Sequence, residues 1–179
     1  MTFHDLAVRP AHLGFAWRGK GRRPLIDPDC HPLVRRLFDE MAAQQVLRRE
    51  FLRRHGAINH ETLRRWFRNI QAPRLADLDD CFSILGYRLR VRRVRWPRPR
   101  HPKRWSPIVP TNAHPLVHAA ARVANAIRLG VADLSARSGL RYSVISSWLH
   151  EGAVPQLATF LRLLDVIGCE LAVEEEAAP

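Results

Sequence analysis

Apolar residues in the second half of the chain recur at helical spacing. Leu116, Ala120, Val123, Ala124 and Ile127 fall at three- and four-residue steps and predict a helix with one apolar face. Val131, Leu134 and Ala136 follow; the pattern breaks at Gly139, and Val144, Ile145, Trp148 and Leu149 predict another short helix. A last run, Leu157, Phe160, Leu161, Leu163, Leu164 and Ile167, ends at Gly168, a natural helix stop. The first half has the same rhythm, with Leu47, Phe51 and Leu52, then Leu63, Trp66 and Phe67, then Leu75, Leu78, Phe82 and Leu85 before Gly86. After each last helix, Leu89-x-Val91 and Leu171-x-Val173 alternate as short strands do. Short helices, glycine turns and small cores predict helical bundles rather than an α/β enzyme.

The shared rhythm is an internal repeat. His31-Pro32-Leu33-Val34 recurs 83 residues later as His114-Pro115-Leu116-Val117, and the match begins earlier, with 23–34 against 106–117. Gly56 and Gly139 keep that offset. It then becomes 82 for Leu63/Ile145, Trp66/Trp148, Pro73/Pro155, Leu75/Leu157, Leu85/Ile167, Gly86/Gly168, Leu89/Leu171 and Val91/Val173. One residue gained between Gly56 and Trp66 explains the change, and the ordered set points to a duplicated unit of about 65 residues. Proline at a first helical position is tolerated, so each His-Pro pair predicts a helix entrance.

Charge sharpens this picture. The chain has 179 residues, 46% of them apolar, with net charge +12 and a pI near 11.3. Only Lys20 and Lys103 are lysine, so the positive charge is almost all arginine, a usage that a GC-rich genome also favours. Residues 88–106 hold nine basic and no acidic residues, whereas 107–179 hold five basic and seven acidic. Pro97, Pro99 and Pro102 break that basic segment and forbid a helix, which predicts an extended linker able to lie on phosphates or in a minor groove. So basic a chain favours an anionic partner, nucleic acid ahead of a membrane surface. Cys30, Cys81 and Cys169 are odd in number and widely spaced, which argues against a disulfide scaffold or zinc site and for a reducing cytosol. No apolar leader or spanning stretch is evident, so a soluble, cytoplasmic, nucleoid-associated protein is expected.

The stretch 131–171 resembles the lambda-repressor-like helix-turn-helix family (phage repressor/Cro, Xre-type). The resemblance lies in Leu134-x-x-x-x-Gly139, Ile145-Ser146-x-Trp148, Glu151-Gly152, Pro155-x-Leu157 and the leucine-rich run ending at Gly168. The first copy keeps Phe51, Gly56, Leu63, Trp66, Pro73, Leu75, Leu85 and Gly86, but has Asn69 and Ile70 in place of Glu-Gly. The resemblance implies an all-α fold of two small lambda-repressor-like domains in tandem, with room for a short β-strand after each. It divides the chain into a basic arm (1–23), a first domain (24–91), an Arg/Pro linker (92–106), a second domain (107–173) and an acidic tail (174–179).

It further implies that Leu63, Trp66, Ile145 and Trp148 anchor two recognition helices from inside, the first over 60–68 with Asn59 as N-cap. Arg141, at the corresponding place in the second copy, is a poor cap, which leaves that helix to be held by Ser143 or by a phosphate. Base edges are expected to meet His60, Glu61, Thr62, Arg64 and Arg65 in the first copy and Arg141, Tyr142, Ser143, Ser146 and Ser147 in the second. Phosphates or a minor groove are expected to meet Arg68, the arm residues Arg18, Lys20, Arg22 and Arg23, and Arg92, Arg93, Arg95, Arg98, Arg100, Lys103 and Arg104 of the linker. The two reading faces differ chemically, so an asymmetric target is expected. Arg88, Arg90, Arg92 and Arg93 flank the first strand, whereas Glu170, Glu174, Glu175 and Glu176 flank the second. Opposite charge at equivalent places suggests that the strands pair across a pseudo-twofold axis.

No phosphate-binding glycine loop, nucleophile elbow, zinc spacing or paired-carboxylate helix is present, so no enzyme, metal or cofactor is expected. Asp77, Asp79 and Asp80 fall at the start of a helix, where the macrodipole favours acids. The expected partner is double-stranded DNA, read by a transcription regulator with no membrane contact; further self-association or contact with the transcription machinery stays open. Two rivals stand beside it, a DNA architectural or packaging protein and a protein-interaction module of antitoxin or inhibitor type.

Overall fold

Each histidine-proline pair opens a helix. In the computed structural model, which describes residues 26–46, 48–95 and 105–176, α1 spans Pro32–Ala43 and α5 spans Pro115–Ala126. The histidines do more than precede them. His31 Nδ1 accepts a hydrogen bond from the Leu33 N–H at 3.2 Å, and His114 Nδ1 accepts from Leu116 at 3.3 Å. An imidazole can cap this way only with Nδ1 unprotonated, which puts the ring proton on Nε2. Burial favours the same neutral form by lowering both histidine pKa values.

The first half continues with α2 (Arg48–His55), α3 (His60–Phe67), α4 (Leu75–Ile84) and β1 (Tyr87–Arg93). The second continues with α6 (Val131–Ser138), α7 (Tyr142–His150), α8 (Leu157–Val166) and β2 (Cys169–Glu175). The described chain is therefore mostly helical, eight helices with one two-stranded sheet. Two details differ from expectation. Strand β1 runs through Arg93, so Arg92 and Arg93 belong to the sheet rather than the linker. Ala136 is exposed, and α6 buries Leu134 and Ser138 instead, because the Ser138 hydroxyl satisfies itself on the Leu134 carbonyl at 2.6 Å.

Backbone conformation repeats as the sequence does. Among the described residues eight have positive φ, and six form three equivalent pairs, Gln45 with Arg128, Gly56 with Gly139, and Gly86 with Gly168; Asn69 and Gly152 close the turns after α3 and α7 one residue out of register, since α7 is one residue longer. Glycine is needed least where an asparagine can take its place, and Asn69 is of that kind.

The halves meet through contacts that are reciprocal. β1 and β2 pair antiparallel, with Leu89 opposite Val173, Arg90 opposite Ala172 and Val91 opposite Leu171. Since Leu89 is equivalent to Leu171 and Val91 to Val173, the two strands play the same part. The Val94 N–H donates to the Gly168 carbonyl at 2.9 Å, and the Glu176 N–H to the Gly86 carbonyl at 2.8 Å. Likewise the Leu75 N–H donates to Pro155 and the Leu157 N–H to Pro73, both at 2.9 Å. Each of these bonds has its counterpart 82 residues away in the chain.

Leu89, Leu171 and Val173 are buried, whereas Arg88, Arg90, Arg92 and Glu174 face solvent. Burying one such aliphatic side chain is worth ~1.5–3 kcal/mol, so the inner face dominates the pairing. Across the outer face Arg88 pairs with Glu176 and Arg92 with Glu170, and Arg95 reaches Asp165 at 2.6 Å. These pairs are exposed and set register and partner more than strength. The core runs through both halves, from Leu37, Phe51, Trp66 and Phe82 to Ile145, Phe160 and Leu164. All three cysteines are buried and free. Among the described residues no helix is long and apolar enough to cross a membrane, and no group of side chains could hold a metal ion.

Candidate nucleic-acid interface

In the first half α2 stops at Gly56, whose φ of +69° turns the chain towards α3. His55 Nδ1 accepts from the Ile58 N–H at 3.2 Å and fixes that turn, while Ile58 itself is buried. Asn59 caps α3 as expected, its Oδ1 accepting from the Thr62 N–H at 2.8 Å and from the Thr62 hydroxyl at 3.1 Å. Leu63, Trp66 and Phe67 are buried and fix the helix from inside. Its outer face is left with His60, Glu61, Arg64 and Arg65, continued by Arg68, all exposed.

Not all of these side chains are equally available. Thr62 is half-buried, with its hydroxyl turned onto the cap. Glu61 is gripped by Arg64 at 2.8 and 3.0 Å, a contact that holds the Glu61 carboxyl below the usual carboxylate range. His60 lies 3.0 Å from the Arg48 guanidinium. Arg48 in turn stacks over the Phe67 ring at 5.6 Å and is partly desolvated, which lowers its pKa. The side chains of Arg65 and Arg68 form no hydrogen bond or ion pair among the described residues and are the uncommitted cations of this face.

The second half builds the same device with different side chains. α6 ends at Gly139, with φ +68°, and Arg162 of α8 donates to the Ser138 carbonyl at 2.6 Å across that turn. A Cβ at Gly139 would come within 2.9 Å of the same guanidinium. Ile145, Trp148 and Leu149 anchor α7 inside. Arg141 is the N-cap residue and makes no side-chain cap, and the Ser143 side chain forms no hydrogen bond in its place among the described residues. Tyr142 is 57% exposed and stands beside the exposed Arg141 and Ser143. Ser146 and Ser147 are half-buried, and the Ser147 hydroxyl donates to the Val144 carbonyl at 2.9 Å, which turns it onto its own helix.

The basic residues divide into two groups. Arg92 and Arg95 are held by Glu170 and Asp165, and Arg93 stands opposite Cys169 in the sheet. Arg18, Lys20, Arg22, Arg23, Arg98, Arg100, Lys103 and Arg104 lie outside the described residues.

Sequence reasoning missed one shared support. The segment before each half's first helix straps the C-terminal end of the exposed helix. The Asp27 N–H donates to the Phe67 carbonyl at 2.8 Å, and the Thr111 N–H donates to the Leu149 carbonyl at 3.0 Å. These bonds satisfy orphan carbonyls at the ends of α3 and α7. The only signal was that the repeat begins some eight residues before His31 and His114, earlier than any helix needs.

Comparison with protein-family profiles, with curated proteins and with solved structures returned no match.

Proposed function

We propose that this chain is a sequence-specific, double-stranded-DNA-binding transcription regulator, with two non-identical helix-turn-helix units of lambda-repressor-like type acting as an intramolecular pseudo-dimer. On this reading α3 and α7 are the recognition helices. The observation that carries it is that two equivalent short helices, each anchored inside by a tryptophan and polar outside, belong to halves joined through reciprocal contacts. A symmetric pair of such helices would suit successive major grooves on one side of the duplex, which requires them to stand about one turn of DNA apart, ~34 Å. The strong net positive charge supports the same partner.

The surfaces divide the labour. α3 offers arginine forks, which suit guanine and phosphate. α7 offers Arg141, Tyr142 and the hydroxyls of Ser143 and Ser146, which suit base edges and thymine methyl groups. Thr62 and Ser147 contribute through their helices rather than as readers. Such a protein needs no cofactor and no catalytic group, and would work in the cytoplasm, on the nucleoid.

The neutral face of α7 is the feature that favours a rival, a protein-interaction module of antitoxin or inhibitor type. Duplex binding by the full chain separates the two. Replacing Arg65 and Arg68 together by alanine is expected to weaken binding at ~150 mM salt by tenfold or more, and to lower the salt slope by ~0.9 for each phosphate no longer neutralised. Duplex affinity unchanged in that variant would favour the rival.

A further inference from the structure

The two histidine caps are equivalent in the repeat, yet among the described residues only His114 faces a carboxylate. His114 Nε2 lies 3.8 Å from Asp79 Oδ2, and the two side chains are only 16% and 26% exposed. Asp79 belongs to α4 and His114 opens α5, so the contact joins the first half to the second. The other oxygen, Asp79 Oδ1, accepts from the Leu89 N–H of β1 at 3.1 Å, which fixes the carboxylate beside the sheet. The repeat places Leu161 where the first half has Asp79, and Leu161 packs on the core. The packing is one-sided in the same way: α5 lies against β1, whereas α1 has no comparable contact with β2.

His114 is already committed on its other nitrogen. Nδ1 accepts from the Leu116 N–H at 3.3 Å and caps α5, so the ring is neutral, with its proton on Nε2 towards Asp79. At 3.8 Å that N–H makes no proper hydrogen bond, but the carboxylate is close enough to attract an imidazolium. Taking up one proton from solvent at Nδ1 removes the acceptor from Leu116 and sets a full positive charge opposite Asp79. A cap within the second half is thereby exchanged for an ion pair between the halves. His31, taking up the same proton, loses its cap on Leu33 and gains nothing. Burial is the largest influence on His114 and disfavours its charge, while Asp79 and Asp80 of α4 favour it. The exchange therefore falls on the acid side of the ordinary histidine value. Burial likewise raises the Asp79 carboxyl, against the Leu89 bond and the charges of His114 and Arg88; Arg88 itself is bound to Glu176. His118, one turn along α5, is exposed.

We propose that Asp79 and His114 form a proton-operated clasp, in which a protonated His114 gives up its hold on α5 and ties the second half to the first through Asp79. Asp79 is the anchor, held to β1 by Leu89 whether or not the ring is charged. The junction of the halves thus responds to acid on one side of the repeat and not on the other. The clasp stands on the contact between the halves and does not depend on the DNA-binding reading.

The test is a pH titration of the full chain followed by NMR at the histidine rings, with His31 as the internal reference, a cap of the same kind without the carboxylate. In the native chain His114 is expected to titrate above His31 by roughly half a pH unit or more. As it does so, the Leu116 amide should lose protection against hydrogen exchange, while the Leu89 amide keeps its own. Asp79→Asn retains an acceptor for Leu89 without the charge, and should bring His114 most of the way down to His31 while leaving His31 unmoved. The two histidines titrating together in the native chain overturns the clasp, and that comparison needs no variant. A gap between them that persists undiminished in Asp79→Asn overturns it too, as does a Leu116 amide whose protection ignores the titration.

Discussion

The two halves of this chain share a backbone and differ in almost everything they show to solvent. All four kinds of positive-φ turn occur in both, both first helices are capped by a histidine Nδ1, and both exposed helices rest on a buried tryptophan. Yet residues 31–87 hold ten basic and seven acidic side chains, against five and seven in 107–179. α3 has an asparagine cap and an arginine face, whereas α7 has no side-chain cap and shows tyrosine and serine. The turn before α7 is clamped by Arg162, and the equivalent residue in the first half is Asp80. Geometry is thus fixed by turns, caps and core, while the outer face is free to change. Such a pattern suits a duplicated unit whose copies have diverged at the surface.

The comparison breaks most severely in the core. Trp66→Ala or Trp148→Ala is expected to cost ~3–5 kcal/mol, a large part of the stability of a small protein. Since the sheet and the Pro73–Leu157 bridge join the halves, thermal unfolding of either variant should remain one transition, followed by circular dichroism. Two separate transitions would mean that the halves are stable alone and that their contacts are incidental.

The turns come next. Gly139→Ala places a side chain at positive φ and against Arg162, and Gly56→Ala meets strain alone, there being nothing within 4 Å of its Cβ. The backbone strain is ~1–2 kcal/mol in both, with the larger destabilisation expected at Gly139; chemical denaturation measures the difference. Equal destabilisation would show that the Arg162 side chain swings aside without cost.

Capping should give a smaller effect of opposite sign in the two halves. Asn59→Ala removes the hydrogen bond to Thr62 and should cost ~1 kcal/mol. Arg141→Asn gives α7 a cap it lacks and should stabilise the protein by some tenths of a kcal/mol, while weakening DNA binding if Arg141 meets the duplex.

The mildest perturbation is acid. His31 and His114 cap as neutral rings, and burial holds their pKa values below the ordinary ~6.5. The unfolded chain therefore takes up protons first, so the contribution of these caps is full above that ordinary value. It is lost as pH falls through the lower, folded value. Asp79 lies 3.8 Å from His114 Nε2 and accepts from the Leu89 N–H, and its carboxyl is raised by burial, so it acts with the opposite sign at lower pH. Melting temperature should drop between about pH 7 and pH 5, and a His31→Asn, His114→Asn double variant, which keeps a cap acceptor without titrating, should flatten that drop. An equal drop in the variant would place the acid sensitivity elsewhere.

Much of this is legible in sequence because it is local or periodic. The helix entrances at Pro32 and Pro115, the turns at Gly56 and Gly139, the inward tryptophans and the two strands each follow from spacing or from a single residue's conformational preference. Even the strand pairing is suggested by arginine and glutamate at equivalent places. What escapes depends on residues far apart in the chain. No pattern joins Arg162 to Ser138, Asp27 to Phe67 or Arg74 to Gln156, since each contact exists only once the helices have packed. Sequence also hides a local effect on the exposed helices: Thr62 and Ser147 look like free hydroxyls, but each bonds to the nearby chain.

The central claim is that two unlike faces read one asymmetric duplex, and site selection with one face altered tests it most directly. Bound sites would be selected at ~150 mM salt by the native chain and by the double variant Arg64→Ser, Arg65→Ser, which gives α3 the hydroxyls that α7 carries at the equivalent Ser146 and Ser147. The account expects a native motif of two unequal halves about one turn apart, ~10 base pairs centre to centre, and a variant motif changed in one half only. No enrichment by the native chain, with binding that fades evenly as salt rises, would contradict it.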